Sequence, residues 1–338
     1  MKLNLYEIRL LKREEYDKMV DFIRCHWSEK HIFCKHREIF EFQHGQAEQG
    51  NYDFVIAVHK ESSEIHAVLG YITSSLYDKS HGDPQAIYGA LWKVRDDVKN
   101  KEIGKLGLGV LYYLIKMYPH SAYITLGLSQ DSQHIYNALH FGFGVMNHYY
   151  IANPSIKDYV IAANPISEPN MMLREDVVLE RLNEIPEIKN TFFPNKNSEY
   201  IRNRYINHPI YKYELLGVFV GTTLRCIWVV RKITVQGSNC FRLVDMMGSM
   251  DGMERICGNV QQFLKECNAE YIDCYNYGIE KEKFLVAGFH MVDGETIIPN
   301  YFEPFARQNI DIHYAFNGGK PVVIFKADAD QDRPNIVT

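Results

Sequence analysis

Apolar residues along the chain follow two spacings, and these divide it into two runs of similar order. In the first run LNLYEIRLL (3–11) alternates at period two and predicts a strand. EEYDKMVDFIRCHW (14–27) carries apolar residues at helical spacing. YDFVIAVHK and EIHAVLGYITSSLY, separated by ESS, predict a hairpin, and AIYGALWKV another strand. Polar RDDVKNKE leads to the glycines of IGKLGLG and to the helix VLYYLIKMY, closed by Pro119. SAYITLGL predicts a strand, DSQHIYNALHF a helix with Asp131 as N-cap, and GFGVMNHYYI one final strand. ANPSIKDYVIAANPISEPN, with three prolines, is the best linker.

The second run repeats this order more loosely. SEYIRNRYINHPIYKY predicts a helix; YELLGVFVG, LRCIWVVRKITV and CFRLVDMMG predict strands. The helix GMERICGNVQQFLKECN, the strand AEYIDCYNYG, the helix IEKEKFLVAGF and a last strand KPVVIFKADAD follow. Both halves place a helix and Gly-Phe after a strand, in NALHFGF and FLVAGFH, which a duplicated domain explains better than chance. At 338 residues the chain has room for two domains.

Composition narrows the function. A net charge of -5 and a pI near 6.3 argue against a sequence-independent hold on nucleic acid, which needs a basic surface. Seven scattered cysteines without C-x-x-C suit reduced thiols and a cytoplasmic location. MKLNLYEIRLLKREEY contains no apolar core of a secretory signal, and LLGVFVGTTL is too short to span a bilayer, so no membrane association is expected.

Gly104, Gly107 and Gly109 follow a strand and open a helix, where exposed amides can hold an anion such as pyrophosphate. The spacing is neither the dinucleotide G-x-G-x-x-G nor a nucleotide P-loop. A turn that only permits tight helix-strand packing is the plain alternative. Strand, glycine loop, helix, strand, helix and then Gly142-Phe143 resembles the order in GCN5-related N-acetyltransferases. Their pyrophosphate loop, Q/R-x-x-G-x-G/A, is matched by Gly104, Lys105, Leu106, Gly107, Leu108 and Gly109. Gly104 departs from the usual first residue, and Lys101 and Lys105 are the nearby cations.

The resemblance implies an α/β (α+β) fold of two tandem GNAT-like domains, each a mixed, mostly antiparallel sheet flanked by helices. Residues 1–155 would bind acetyl-CoA as cosubstrate, 156–184 would link, and 185–338 would form a second domain without the loop. In that second copy VDMMGSMDGMER sets Gly248 and Gly252 too far apart for the same cradle. A backbone amide near Trp92 to Val94 would face the reacting carbonyl. HW-x3-H near the start and DADQDRPN near the end resemble tandem proteins of surface-polysaccharide biosynthesis. The acceptor so implied is the amine of a nucleotide-linked amino sugar.

HWSEKHIFCKHREIFEFQH (26–44) crowds four histidines among aromatics. Its spacings fit no common zinc pattern, so no metal is expected. Either Trp27 and Phe33 are core and the histidines solvated, or His26, Trp27 and His36 line a sugar pocket. In the second case His31 is the candidate general base, with Glu29 as alternative. The family's acid is a tyrosine four residues before Gly-Phe; here that place holds Ala138, leaving Tyr136 or His134. Asp330, Asp332 and Arg333 are either a solvated tail or contacts to the sugar. Two rival functions are an aminoacyl transferase using charged transfer RNA and a non-catalytic carbohydrate-binding or scaffolding protein.

Overall fold

A computed structural model describes residues 3–45, 50–80, 82–168 and 172–333, and these form two compact units. The first comprises the chain up to Leu126 with Phe316–Gly319; the second comprises Gly127–Ala315 and Lys320–Arg333. Pro334 and Asn335 of the DADQDRPN run lie outside the described residues.

In the first unit β1 (Tyr6–Lys12), β2 (Asn51–His59), β3 (Ile65–Thr73), β4 (Ala86–Val94) and β5 (Ala122–Leu126) lie in that order across a sheet. The first four are antiparallel, and β4 and β5 are parallel, joined through α3 (Leu106–Met117). Phe54 and Gly70 sit opposite each other and share one face. There α2 (Arg37–His44) stacks Phe40 on Phe54 at 5.3 Å. Tyr71, the next residue on β3, turns to the other face and meets Tyr118 at the end of α3. Helices therefore cover both faces, and every residue of β3 is buried. The remaining helix, α1 (Tyr16–His26), buries Met19, Val20, Phe22 and Ile23.

The second unit opens with α4 (Gln130–Ala138) and β6 (Gly142–Val145). Its large sheet holds β7 (Asn147–Ala152), β8 (Val177–Arg181), β9 (Glu214–Val220), β10 (Thr223–Val235), β11 (Ser238–Gly248), β12 (Ala269–Tyr277) and β13 (His290–Met291). The spatial order is β13-β7-β12-β11-β10-β9-β8, with β11 and β12 parallel. One face buries Trp228, Phe241, Leu243 and Met246 with residues of α6 (Cys257–Glu266) and α7 (Lys281–Ala287). α5 (Ser198–Ile201) and the two-residue pair β14 (Tyr301–Phe302) and β15 (Phe305–Ala306) follow, β16 (His313–Asn317) belongs to the sheet that contains β1 to β5, and β17 (Ile324–Phe325) pairs with β12.

Several expectations from sequence are corrected. Ser129, not Asp131, caps α4, its side chain accepting from the Ser132 amide; Asp131 is one residue into the helix. GFGVMNHYYI breaks at Met146, whose amide bonds to Ile312 O, so β6 and β7 are separate. Only Ile324–Phe325 of KPVVIFKADAD is strand. β7 pairs with β12 in the second sheet over six residues, and β8 falls inside the stretch 156–184. The duplicated helix ending is real but shifted by two residues. Phe141 N bonds to Tyr136 O and Phe289 N to Phe284 O, with His140 and Gly288 at positive φ. Both endings carry the ring contact that accompanies such a cap, at 5.3 and 5.4 Å. His140-Phe141, not Gly142-Phe143, is thus the partner of Gly288-Phe289.

The other face of the second sheet carries charges under cover. Arg231 and Asp332 pair at 2.9 Å, and Tyr213 donates to Asp332 at 2.7 Å. Burial alone would raise Asp332, but Arg231 and Lys326 outweigh it and hold its carboxyl at about 2. Lys196 bridges Asp245 at 2.6 Å and Asp328 at 3.0 Å. The tail is therefore not solvated: Asp328, Asp330 and Asp332 are all buried.

Removing one member of such a pair leaves a buried charge alone, so Arg231→Met is expected to cost roughly 3–5 kcal/mol. The double change Arg231→Met with Asp332→Leu is expected to recover much of that loss in urea unfolding. Lys326 is buried and pushed down to about 7 by burial first and by Arg242 next. Between that value and the ordinary 10.5 the unfolded chain binds more protons, so this lysine makes stability rise with pH. Lys326→Met is accordingly expected to raise the melting temperature most below pH 7 and least near pH 10.

Candidate functional site

The glycine segment becomes the first turn of α3, which begins at Leu106, four residues before the expected start at Val110. Among the described residues no side chain caps this turn and it contains no acidic residue; the preceding turn Ile103–Lys105 takes up the Lys105 and Leu106 amides, so the amides open to an anion are those from Gly107 onward. Lys101 and Lys105 are exposed beside it. A Cβ on Gly104 would meet nothing within 4 Å, and one on Gly107 would make ordinary contact with Trp92 at 3.4 Å and Val94 at 3.5 Å. Packing therefore does not demand either glycine. Gly248 of the second copy differs: at φ 122 its Cβ would lie 2.4 Å from Arg225 O, a purely structural requirement.

Trp92 and Val94 approach Gly107 from β4, and β4 has a distinctive course there. Between Gly89 and Trp92 it takes three steps where β3 takes two, from Tyr71 to Leu69. This is a β-bulge, which locally rotates backbone groups out of the ladder. Pairing with β5 runs only from Ala86 to Gly89, although β4 continues to Val94. β5 ends one residue later, at Leu126, so the bulged far part of β4 runs on beyond its parallel neighbour.

The histidine segment forms part of the first unit. His31 is 7% exposed, and its Nδ1 accepts from the Phe33 amide at 3.2 Å, capping the turn Ile32–Cys34. Phe33 packs against it at 4.8 Å. Glu29 and Trp27 are exposed, and His36 lies 3.5 Å from Glu38. His26 lines a cavity of about 310 Å³ with Phe22, Cys25, Glu64 and Arg95. Burial first, then Arg95, lowers its pKa, so the ring is neutral near pH 7. Among the described residues no group of three or more His, Cys, Asp or Glu could hold a metal ion.

Tyr136, in α4 of the second unit, is buried against Phe141. It stands four residues before His140-Phe141, the place that Ala138 takes relative to Gly142-Phe143. Phe284 holds the same place in the second copy. Asp330 and Arg333 pair at 3.1 Å, and Asp332 is held by Arg231 and Tyr213.

Sequence reasoning missed a group on β7, β11 and β12. His148 Nε2 lies 2.8 Å from Asp273, and Arg242 donates to the same carboxylate at 2.7 Å. The available signal was charge inside apolar strands, Arg242 and Asp245 in FRLVDMM and Asp273 in YIDCYNY. Charges at alternating strand positions imply a buried partner.

No protein-family model and no curated protein matches the sequence. Similarity appears among solved structures. A GCN5-related N-acetyltransferase from Anabaena variabilis superposes with a TM-score of 0.54 at 7% identity, covering 92% of this chain and 72% of that one. Another from Kribbella flavida gives 0.51 at 11%, covering 92% and 70%. At such identities the likeness concerns architecture alone. The chain has the mixed α/β fold of the GCN5-related N-acetyltransferases, in two tandem domains.

Proposed function

We propose that the chain is an acyl-CoA-dependent N-acyltransferase of the tandem sugar-acetyltransferase type. It moves acetyl from acetyl-CoA to the amine of a nucleotide-linked amino sugar for surface-glycan synthesis in the cytoplasm. The observation that carries the reading is the bulged end of β4, running past the end of β5, with Trp92 and Val94 beside Gly107 in the first turn of α3, which no side chain caps among the described residues. The amides of Gly107 to Gly109 bind the pyrophosphate, with Lys101 and Lys105 adding positive charge. A freed amide near Trp92 to Val94 hydrogen-bonds the carbonyl oxygen as charge develops on it. The sugar choice rests on the short terminal motifs and on His26, Trp27 and His36, with Asp330, Asp332 and Arg333 as proposed contacts from the tail.

In this scheme the acceptor amine must lose its proton before or during attack, and the departing thiolate must gain one. Tyr136 is the proposed acid, supported by its place in the α4 cap. His31 or Glu29 is the proposed base. Glu29 offers an exposed carboxylate, whereas His31 must release the Phe33 amide to accept a proton at Nδ1. Non-catalytic carbohydrate binding is the second reading, favoured by the burial of Tyr136.

Free-thiol release from acetyl-CoA against a panel of nucleotide amino sugars, with product masses, tests the proposal. Release with no amine in the panel, alongside measurable sugar binding, would favour the second reading. Gly107→Ala is expected to keep the melting temperature, and Gly107→Glu to abolish acetyl-CoA binding in calorimetry. Undiminished affinity would place the cosubstrate elsewhere. The true base is expected to lose roughly 10²–10⁴ in rate when Glu29→Gln and His31→Asn are compared. Asparagine at 31 retains an acceptor for the cap, so an unchanged melting temperature isolates the chemical effect. Equal and small losses would make the segment structural.

A further inference from the structure

The second unit contains a cavity of about 480 Å³, within the range of small-ligand sites, that the acyl-transfer reading does not use. Its wall includes His148, Tyr275, Asn147, Met291, Asp293 and Asp311. His148 is 9% exposed and stacks on Tyr275 with ring centres 3.7 Å apart. Its Nε2 faces Asp273, whose carboxylate also receives three hydrogen bonds from Arg242 at 2.7, 3.1 and 3.2 Å. That guanidinium keeps Asp273 ionised against the penalty of burial. An ionised carboxylate cannot donate, so the imidazole proton sits on Nε2 and Nδ1 presents a bare lone pair. Among the described residues Nδ1 has no hydrogen-bond partner.

The remaining polar wall also accepts. Asp311 is exposed and forms no hydrogen bond or ion pair among the described residues. Asp293 accepts from the Glu295 and Thr296 amides but keeps its charge. Among the described residues no lysine or arginine lines the cavity, while Val145, Met146 and Ile310 add apolar wall. Such a site repels phosphate and carboxylate and suits a cation that donates hydrogen bonds and carries an apolar arm.

We infer that this cavity is a binding site for a primary alkylammonium group, whose N-H donors engage His148 Nδ1 and the Asp311 carboxylate. The ring acts as an acceptor, not as a base. Burial depresses its basicity below the ordinary imidazole value, so the proton remains on the ligand. The inference stands apart from the acyl-transfer reading and survives if that reading fails.

Around His148 the charged and titratable groups are Asp273 on β12, Arg242 on β11, Lys326 after β17, Tyr275, and Asp293 and Asp311 on the rim. Protonating His148 replaces its acceptor with a donor, and protonating Lys326 adds like charge, so both weaken ammonium binding in the same direction. Affinity is therefore expected to fall as pH drops below about 7 and to fall further once His148, whose basicity burial lowers, takes up a proton.

The test titrates the full chain with n-butylammonium, n-butanol and n-butyrate, following His148 ring nitrogens by NMR and heat by calorimetry. Butylammonium is expected to shift Nδ1 far more than Nε2 and to bind more tightly than either control. Asp311→Asn, at an exposed position, is expected to weaken it roughly tenfold, the loss of one charged hydrogen bond. His148→Gln is expected to weaken it at least as much, with the melting temperature checked in parallel. Equal binding of butyrate, no change at Nδ1, or indifference to Asp311→Asn would overturn the assignment.

Discussion

The Arg242-Asp273 ion pair is the interaction on which most of the second unit depends. Both groups are buried, so removing either would leave the other as an unpaired charge in the interior. Once formed, the pair does three further things. It fixes the tautomer of His148, and it ties β11 to β12 beside their parallel ladder. Through Pro299 O and Asn300 O it also anchors the long connection after β13. Replacing the pair with apolar residues would preserve packing more readily than it would preserve those three constraints.

The first unit depends on a backbone constraint instead. One extra residue in β4 separates a strand that completes the sheet from a strand end that leaves it. Everything proposed for acyl transfer follows from that separation and from the bare turn of α3. The two units share an architecture, yet the second copy fills the corresponding place with a glycine its backbone requires, Gly248. Similar topology therefore does not imply similar chemistry, and each site has to be argued from its own residues.

Strands and helices with strong periodicity were legible, because burial on one or both faces writes itself into the order of apolar residues. The start of α3 was not, since glycine's weak helical preference disguised Gly107 and Gly109 as loop. Partnership was not legible either. The sequence of β7 shows a strand, but nothing in it tells which sheet supplies its neighbour. Arg242 and Asp273 stand far apart in sequence, with Asp245 much nearer to Arg242, and only the register between β11 and β12 joins them. For the candidate acyl site the glycine loop was legible. The bulge in β4 was not, because an extra residue in one strand becomes visible only against its partner.

The pairing of β7 with β12 also has a temporal meaning. β7 ends at Ala152 and its partner begins at Ala269, so well over a hundred residues must emerge from the ribosome before the two can meet. At typical synthesis rates of roughly 5–20 residues per second, that wait lasts on the order of 10 s. Throughout it Tyr149, Tyr150 and Ile151, all fully buried in the finished protein, lack their permanent neighbours. Slowing translation between these strands would lengthen the time those apolar side chains stay uncovered.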